Sequence, residues 1–137
     1  MTDFLVDNSV WARLASGDPR ITARLRRIAQ APADLFVTCP PQVLEFCHSA
    51  RTPDEHARHR EQISLGFPLE RAPDESLVLD IQSALWSAGL VRAAGSLDIL
   101  IAGYALVNDA TVLAADHDFD HIAAVTALQH EYIQPAA

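Results

Sequence analysis

The sequence predicts an α/β protein, a three-layer α/β/α sandwich with a central parallel sheet. Three observations predict it. Short apolar runs of strand length alternate with apolar positions at helical spacing, and parallel neighbours need such crossover helices. Acidic residues stand at the ends of apolar runs, where open parallel sheets carry their sites. The 137 residues, half of them apolar, suit one domain over residues 1–137 with a sizeable core and no room for a second.

Each element follows in turn. Phe4-Leu5-Val6 reads as the first strand, ending at Asp7, and Asn8-Ser9 offers N-cap chemistry to a helix through Val10, Trp11 and Leu14. Gly17-Asp18-Pro19 breaks that helix. Ile21, Leu25 and Ile28 then recur at helical spacing beside Arg20, Arg24, Arg26 and Arg27, which predicts a basic-faced amphipathic helix. Leu35 to Thr38 is the second strand, and Pro40-Pro41 starts a helix with Val43, Leu44, Phe46 and Cys47 on its apolar side and Glu45 in its first turns. Thr52-Pro53-Asp54-Glu55 starts a solvated helix reaching Glu61. Phe67-Pro68-Leu69 is a third, short strand. Pro73-Asp74-Glu75 opens a helix with a stripe of Leu77, Ile81, Ala84 and Leu85, closing near Gly89. Leu97 to Val107 is an almost wholly apolar, buried helix with Asp98 in its first turn. Thr111 to Ala115 is a strand ending in Asp116, and Glu131-Tyr132-Ile133 is a last edge strand.

Composition narrows the function. A net charge of −8 argues against a generic nucleic-acid coat. The charge is uneven, however: residues 1–60 hold 8 of the 10 arginines against 7 acids, and residues 61–137 hold 11 acids against 2 arginines. A polyanion should therefore meet the first half. The absence of lysine excludes a Walker-type phosphate loop, a Schiff-base enzyme and a phospho-receiver domain. The longest apolar run, Ile99 to Val107, covers nine residues, against the roughly 18–20 that a membrane span needs. With no basic stretch ahead of an apolar one at the N-terminus, the expected address is the cytosol. Cys39 and Cys47 form no disulfide framework or zinc knuckle and read as small buried hydrophobes.

Asp7 and Asp116 each end an apolar strand, while Glu45 and Asp98 each interrupt an apolar helical stretch near its start. A lone acid in such a place is ordinarily a helix cap or a surface ion pair. Four converging on one sheet edge are a different matter. Carboxylates about 5 Å apart repel by roughly 3 kcal/mol per pair at an effective dielectric near 20, so the cluster must take up protons or a cation. Oxygen-only ligands favour Mg²⁺ or Mn²⁺ over zinc. Such an ion suits activation of water against a phosphodiester.

Four segments carry a more specific resemblance. Phe4-Leu-Val-Asp-Asn-Ser-Val-Trp11, Leu44-Glu45, Ser96-Leu-Asp-Ile-Leu-Ile-Ala-Gly-Tyr-Ala-Leu106 and Leu113-Ala-Ala-Asp-His-Asp-Phe-Asp-His-Ile122 resemble, in order and spacing, the four motifs of PIN-domain ribonucleases, most closely the VapC-type toxins of toxin–antitoxin pairs. The resemblance implies that Asp7, Glu45, Asp98 and Asp116 are catalytic acids, that Asp7, Asp98, Asp116 and Asp118 hold the metal, and that Ser9 hydrogen-bonds and orients Asp7. Asn8 stands where the family more often has Thr or Ser. The implied activity is Mg²⁺- or Mn²⁺-dependent endonucleolytic cleavage of RNA (tRNA, rRNA or mRNA). The implied partners are a second copy in a homodimer and a cognate antitoxin whose tail fills a groove and sends an arginine into the acidic pocket. Arg24, Arg27 and Arg51 are candidate RNA contacts. The alternative function is a non-catalytic binding or scaffold module of the same fold, which the acidic net charge favours.

Other readings of these segments are weaker. Asp116 to His121 lacks the Gly and Glu of a calcium-binding loop, the latter position being Ala127. His117 and His121 are spaced as zinc ligands only if their segment is helical. Asp116-x-Asp118 fits a Toprim-like nuclease, yet the early glutamate in a glycine-flanked turn is missing. Asp120, His121, His56 and His59 read as solvated residues, and Trp11 and Trp86 as core or partner-facing ones.

Overall fold

The computed structural model describes residues 1–137, and its centre is a five-stranded sheet ordered β3-β2-β1-β4-β5 with every neighbouring pair parallel. The strands are β1 (Asp3–Val6), β2 (Leu35–Thr38), β3 (Phe67–Pro68), β4 (Thr111–Ala114) and β5 (Gln129–Tyr132). The helices are α1 (Asn8–Ala15), α2 (Pro19–Gln30), α3 (Pro40–His48), α4 (Pro53–Ile63), α5 (Glu75–Ser87), α6 (Ser96–Asn108) and α7 (Asp118–Val125). β1 is central because its three apolar residues are buried on both faces. Phe4 and Val6 join Val10, Ile21, Leu25, Ile28 and Leu113 under α1 and α2. Leu5 points the other way, into a larger core with Ile81 and Leu85 of α5, Ile101 and Ala105 of α6, and Phe119 and Ile122 of α7. These two cores make the three expected layers.

Local chemistry sets the element ends. Asp18, Thr52 and Asp74 each accept a backbone N–H from the first turn of α2, α4 and α5. α1 is capped by Asp7 itself, not by Asn8-Ser9, because the chain turns helical directly after β1 and the Asp7 carboxylate accepts the Ser9 N–H at 3.1 Å. A Cβ on Gly66 would lie 2.7 Å from Thr38 Cγ2, so only glycine lets the chain enter β3 this close to β2. Leu44 departs from expectation: it is 68% exposed, on the outer side of α3. α7 also goes beyond the sequence reading, which left its residues without an element; its polar first turn hides the inward pair Phe119 and Ile122. α6 is less enclosed than its composition suggests, with Leu97 exposed. No helix is long and apolar enough to cross a membrane.

Candidate metal centre

The carboxyl ends of the parallel strands bring together what the sequence holds far apart. Asp7 follows β1, and its N–H donates to the Leu113 carbonyl at 2.8 Å, tying it to β4. Glu45 lies in the second turn of α3 and Asp98 in the first turn of α6. One carboxylate oxygen from each of Asp7, Glu45 and Asp98 falls within 4.8 Å of the others. Asp7 is buried and the other two are half-buried.

Electrostatics records the crowding. Asp98 is pushed up to about 7 by burial first and then by the charges of Asp7, Asp118, Glu45 and Asp116. Glu45 is raised by burial and by Asp7, Asp116 and Asp118. Asp116 is raised by burial and by Asp7 and Asp118, although the Asp118 N–H, 3.2 Å from its Oδ1, acts in the opposite direction. Asp116 and Asp118 thus face the pocket electrostatically but stand outside the tight trio, and Glu45 occupies the place next to Asp7 and Asp98. No arginine or histidine is ion-paired to any member of the trio.

Asp7 supplies a direct test of whether a cation fits. Its Oδ2 is held by Ser9, while its Oδ1 is buried with no hydrogen-bond partner at all. A buried, unpartnered carboxylate oxygen beside two further carboxyls is an acceptor lacking a positive partner. The donors are all oxygen, which suits a hard divalent cation.

The supporting contacts differ from expectation in two places. Ser9 does hold Asp7, but through its backbone N–H. Its hydroxyl instead accepts the Ala115 N–H at 2.9 Å, joining the start of α1 to the end of β4 just before Asp116. A hydroxyl in the first turn of α1 lies alongside β4, where an otherwise unpaired strand-end N–H awaits an acceptor. Arg24 is not available for a phosphate: its Nε and Nη2 donate to the Glu131 carboxylate at 2.6 and 2.8 Å, and its guanidinium lies over the Phe4 ring. Arg27 and Arg51 are exposed.

Further groups were not visible from sequence. Gln42, 2% exposed, donates from Nε2 to the Val6 carbonyl at 2.5 Å and accepts the Cys39 N–H at 3.3 Å. It links the residue before Asp7 to the start of the helix that carries Glu45. Its one sequence signal is a polar residue on the inward side of an apolar helix. Asp120 is not simply solvated, since it accepts from His117 Nδ1 at 2.7 Å and His130 Nε2 at 2.6 Å. His59 is half-buried, stacked on Phe46 with ring centroids 4.6 Å apart. Beside the acidic pocket runs an apolar groove of about 520 Å³ between α1, β2, α3 and α4, lined by Trp11, Leu14, Phe36, Phe46, Ile63 and Leu65 among others. Cys39 and Cys47 are buried and free, and burial raises the Cys39 thiol to about 11.

Comparison with known proteins bears on the family and the fold. The sequence description of the PIN domain matches residues 4–125. Ribonuclease VapC11 of Mycobacterium tuberculosis and VapC ribonuclease Mb1587 of Mycobacterium bovis are each 29% identical over 131 residues, covering 91% of this chain and 95% of theirs. Among solved structures, VapBC2 from Rickettsia felis bound to a promoter DNA fragment has a TM-score of 0.75 at 12% identity, over 97% of this chain and 100% of that one. VapBC-1 from nontypeable Haemophilus influenzae has a TM-score of 0.73 at 20% identity, over 96% and 98%. At such identities the structures speak for the fold.

Proposed function

The chain belongs to the PIN domain family, and from that premise we propose that it is a metal-dependent endoribonuclease, the toxin of a toxin–antitoxin pair, with Mg²⁺ or Mn²⁺ as its cation. The observation that carries the reading is the convergence of Asp7, Glu45 and Asp98 within 4.8 Å, with Asp7 Oδ1 buried and unpartnered. A cation held there supplies Lewis acidity, favouring ionised water at neutral pH and offsetting charge that grows on phosphoryl oxygens.

The protein's own part is placement. Ser9 fixes the Asp7 carboxylate through one oxygen and leaves the other without a partner. Gln42 holds α3, and with it Glu45, against the end of β1. The Ser9 hydroxyl holds the end of β4, from which Asp116 and Asp118 extend toward the rim. The first turn of α6 carries Asp98 to the same edge. Positions fixed on strand and helix ends need little rearrangement when a phosphodiester arrives.

The partner follows from the same site. The relatives are named ribonucleases, and the structural neighbours are VapBC complexes. That supports RNA as substrate and a cognate antitoxin as inhibitor. An apolar antitoxin tail suits the groove of Trp11, Phe36 and Phe46, and a guanidinium suits the acidic trio. Leu79 and Trp86, seven residues apart on one side of α5 and both exposed, offer a surface for the expected homodimer.

The test is RNA cleavage by chain freed of any co-purifying partner, with Mg²⁺, Mn²⁺ or EDTA, beside an Asp7→Asn, Asp98→Asn double variant. Cleavage should need the metal and vanish in the variant. Cleavage that persists in the variant would remove these residues from the site. A wild-type chain inert toward total tRNA and rRNA and without metal affinity would favour a non-catalytic module.

A further inference from the structure

One residue from Asp116, an imidazole is held in place and left open. His117 donates from Nδ1 to Asp120 Oδ2, 2.7 Å away. Asp120 is itself fixed by His130 Nε2 on its other oxygen, at 2.6 Å. The His117 ring lies against Tyr132, with centroids 4.3 Å apart and planes inclined by 31°. β5 and the first turn of α7 thus grip this ring from two sides. Its side chain is nevertheless 65% exposed, so the face turned from Tyr132 meets solvent.

An exposed side chain ordinarily keeps its rotamer freedom, and ordering it costs free energy. Here the chain's own contacts already order the ring. A flat ring, backed by an aromatic and fixed at the rim of an acidic pocket, is a stacking surface for an unpaired base. Phosphate would gain nothing from the surrounding carboxylates, whereas a nucleobase face is neutral. Consecutive Cα atoms lie about 3.8 Å apart, so a phosphodiester at Asp116 places a neighbouring base within reach of the next side chain.

We propose that His117, locked by Asp120 and backed by Tyr132, is a stacking platform for an unpaired RNA base next to the scissile phosphate. The inference rests on the nuclease reading above and deepens it, because it assigns a base contact beside the cleavage site to one side chain. Asp120, His130 and Tyr132 act through the ring as positioning residues.

The experiment is a substrate–protein cycle. The cleavage site is mapped on an RNA that the wild-type chain cuts, and the same RNA is made with an abasic residue on either side of that site. kcat and KM are measured for wild type, His117→Ala and His117→Phe on each, with thermal unfolding of all three proteins. Losing one stacked base should raise the wild-type KM roughly 5- to 100-fold for one of the abasic RNAs. His117→Ala should show the raised KM on intact RNA and no further loss on the abasic one, and His117→Phe should restore KM. If His117→Ala loses thermal stability but keeps wild-type KM, or remains as sensitive to the abasic site as wild type, the residue is a structural tie and the platform is refuted while the nuclease stands. If wild type cleaves no RNA with either metal, both readings fall together.

Discussion

Asp98→Asn should make the protein more stable, by an amount that grows with pH. In the unfolded chain this carboxyl ionises near pH 4, and in the folded chain burial and four neighbouring carboxylates raise it from 3.8 to about 7. Between those values the folded state holds a proton that the unfolded state has released. Wild-type stability therefore falls as pH climbs from about 4 to about 7, and levels off above. The variant cannot ionise there and escapes the fall. Each tenfold change in proton affinity is about 1.4 kcal/mol, so the whole interval bounds the effect at roughly 4 kcal/mol. Solvent reaches part of this half-buried carboxyl, and screening reduces the expected gap to about 1–2 kcal/mol. For a domain of this size that is a rise of roughly 3–8 °C in Tm at pH 8. The assay is thermal unfolding of both proteins from pH 4.5 to 8.5 in EDTA, then with excess Mn²⁺ at pH 8. The gap should widen up to about pH 7, stay level beyond, and close with Mn²⁺, since a bound cation stabilises the ionised wild-type site. A variant no more stable than wild type at pH 8, or a gap independent of pH, would refute the charge-crowding argument.

Two other perturbations separate structure from binding. Arg24→Ala should cost about 1–2 kcal/mol in urea unfolding through loss of the Glu131 pair and the Phe4 contact, with RNA affinity unchanged. Arg27→Ala should be stable within roughly 0.5 kcal/mol and lower the log–log salt slope of RNA binding by about 0.7–0.9; an unchanged slope would remove Arg27 from the RNA path. Gln42→Leu strands the Val6 carbonyl and the Cys39 N–H and should cost about 2–4 kcal/mol, along with turnover. A loss under about 1 kcal/mol would show that neither group depends on it.

The sheet was legible because its strands are short apolar runs buried on both faces, a pattern that survives without knowledge of partners. The acidic residues were legible for a related reason. Each breaks an apolar segment at the end that the fold turns to one edge of the sheet. What stayed hidden depends on pairing at long range. Arg24 and Glu131 are 107 residues apart in the chain, and nothing in either segment distinguishes an arginine with a carboxylate partner from one facing RNA. Ser9 does hydrogen-bond Asp7, through its N–H, but its second role was hidden, because a hydroxyl's acceptor role is decided by whichever N–H packs against it, here that of Ala115. α7 escaped notice because the acids of its first turn read more readily as a motif than as a helix start.

The stability cost of the pocket and its function have one cause. Three carboxyls meet because two helix starts and one strand end converge there, and no basic side chain of this chain is ion-paired to them. Placing an arginine among them would relieve the repulsion and close the site. The chain instead leaves Asp7 Oδ1 without a partner in the interior, so the positive charge has to come from outside. A divalent cation and a guanidinium from another chain both answer that need, through the same oxygens. On the proposed reading they compete, so an inhibitor that supplies a guanidinium would work by occupancy without any change of fold. The carboxylates that repel a bare phosphodiester are the ones a cation would neutralise, so on the proposed reading affinity for a phosphodiester at this site depends on the ion being present.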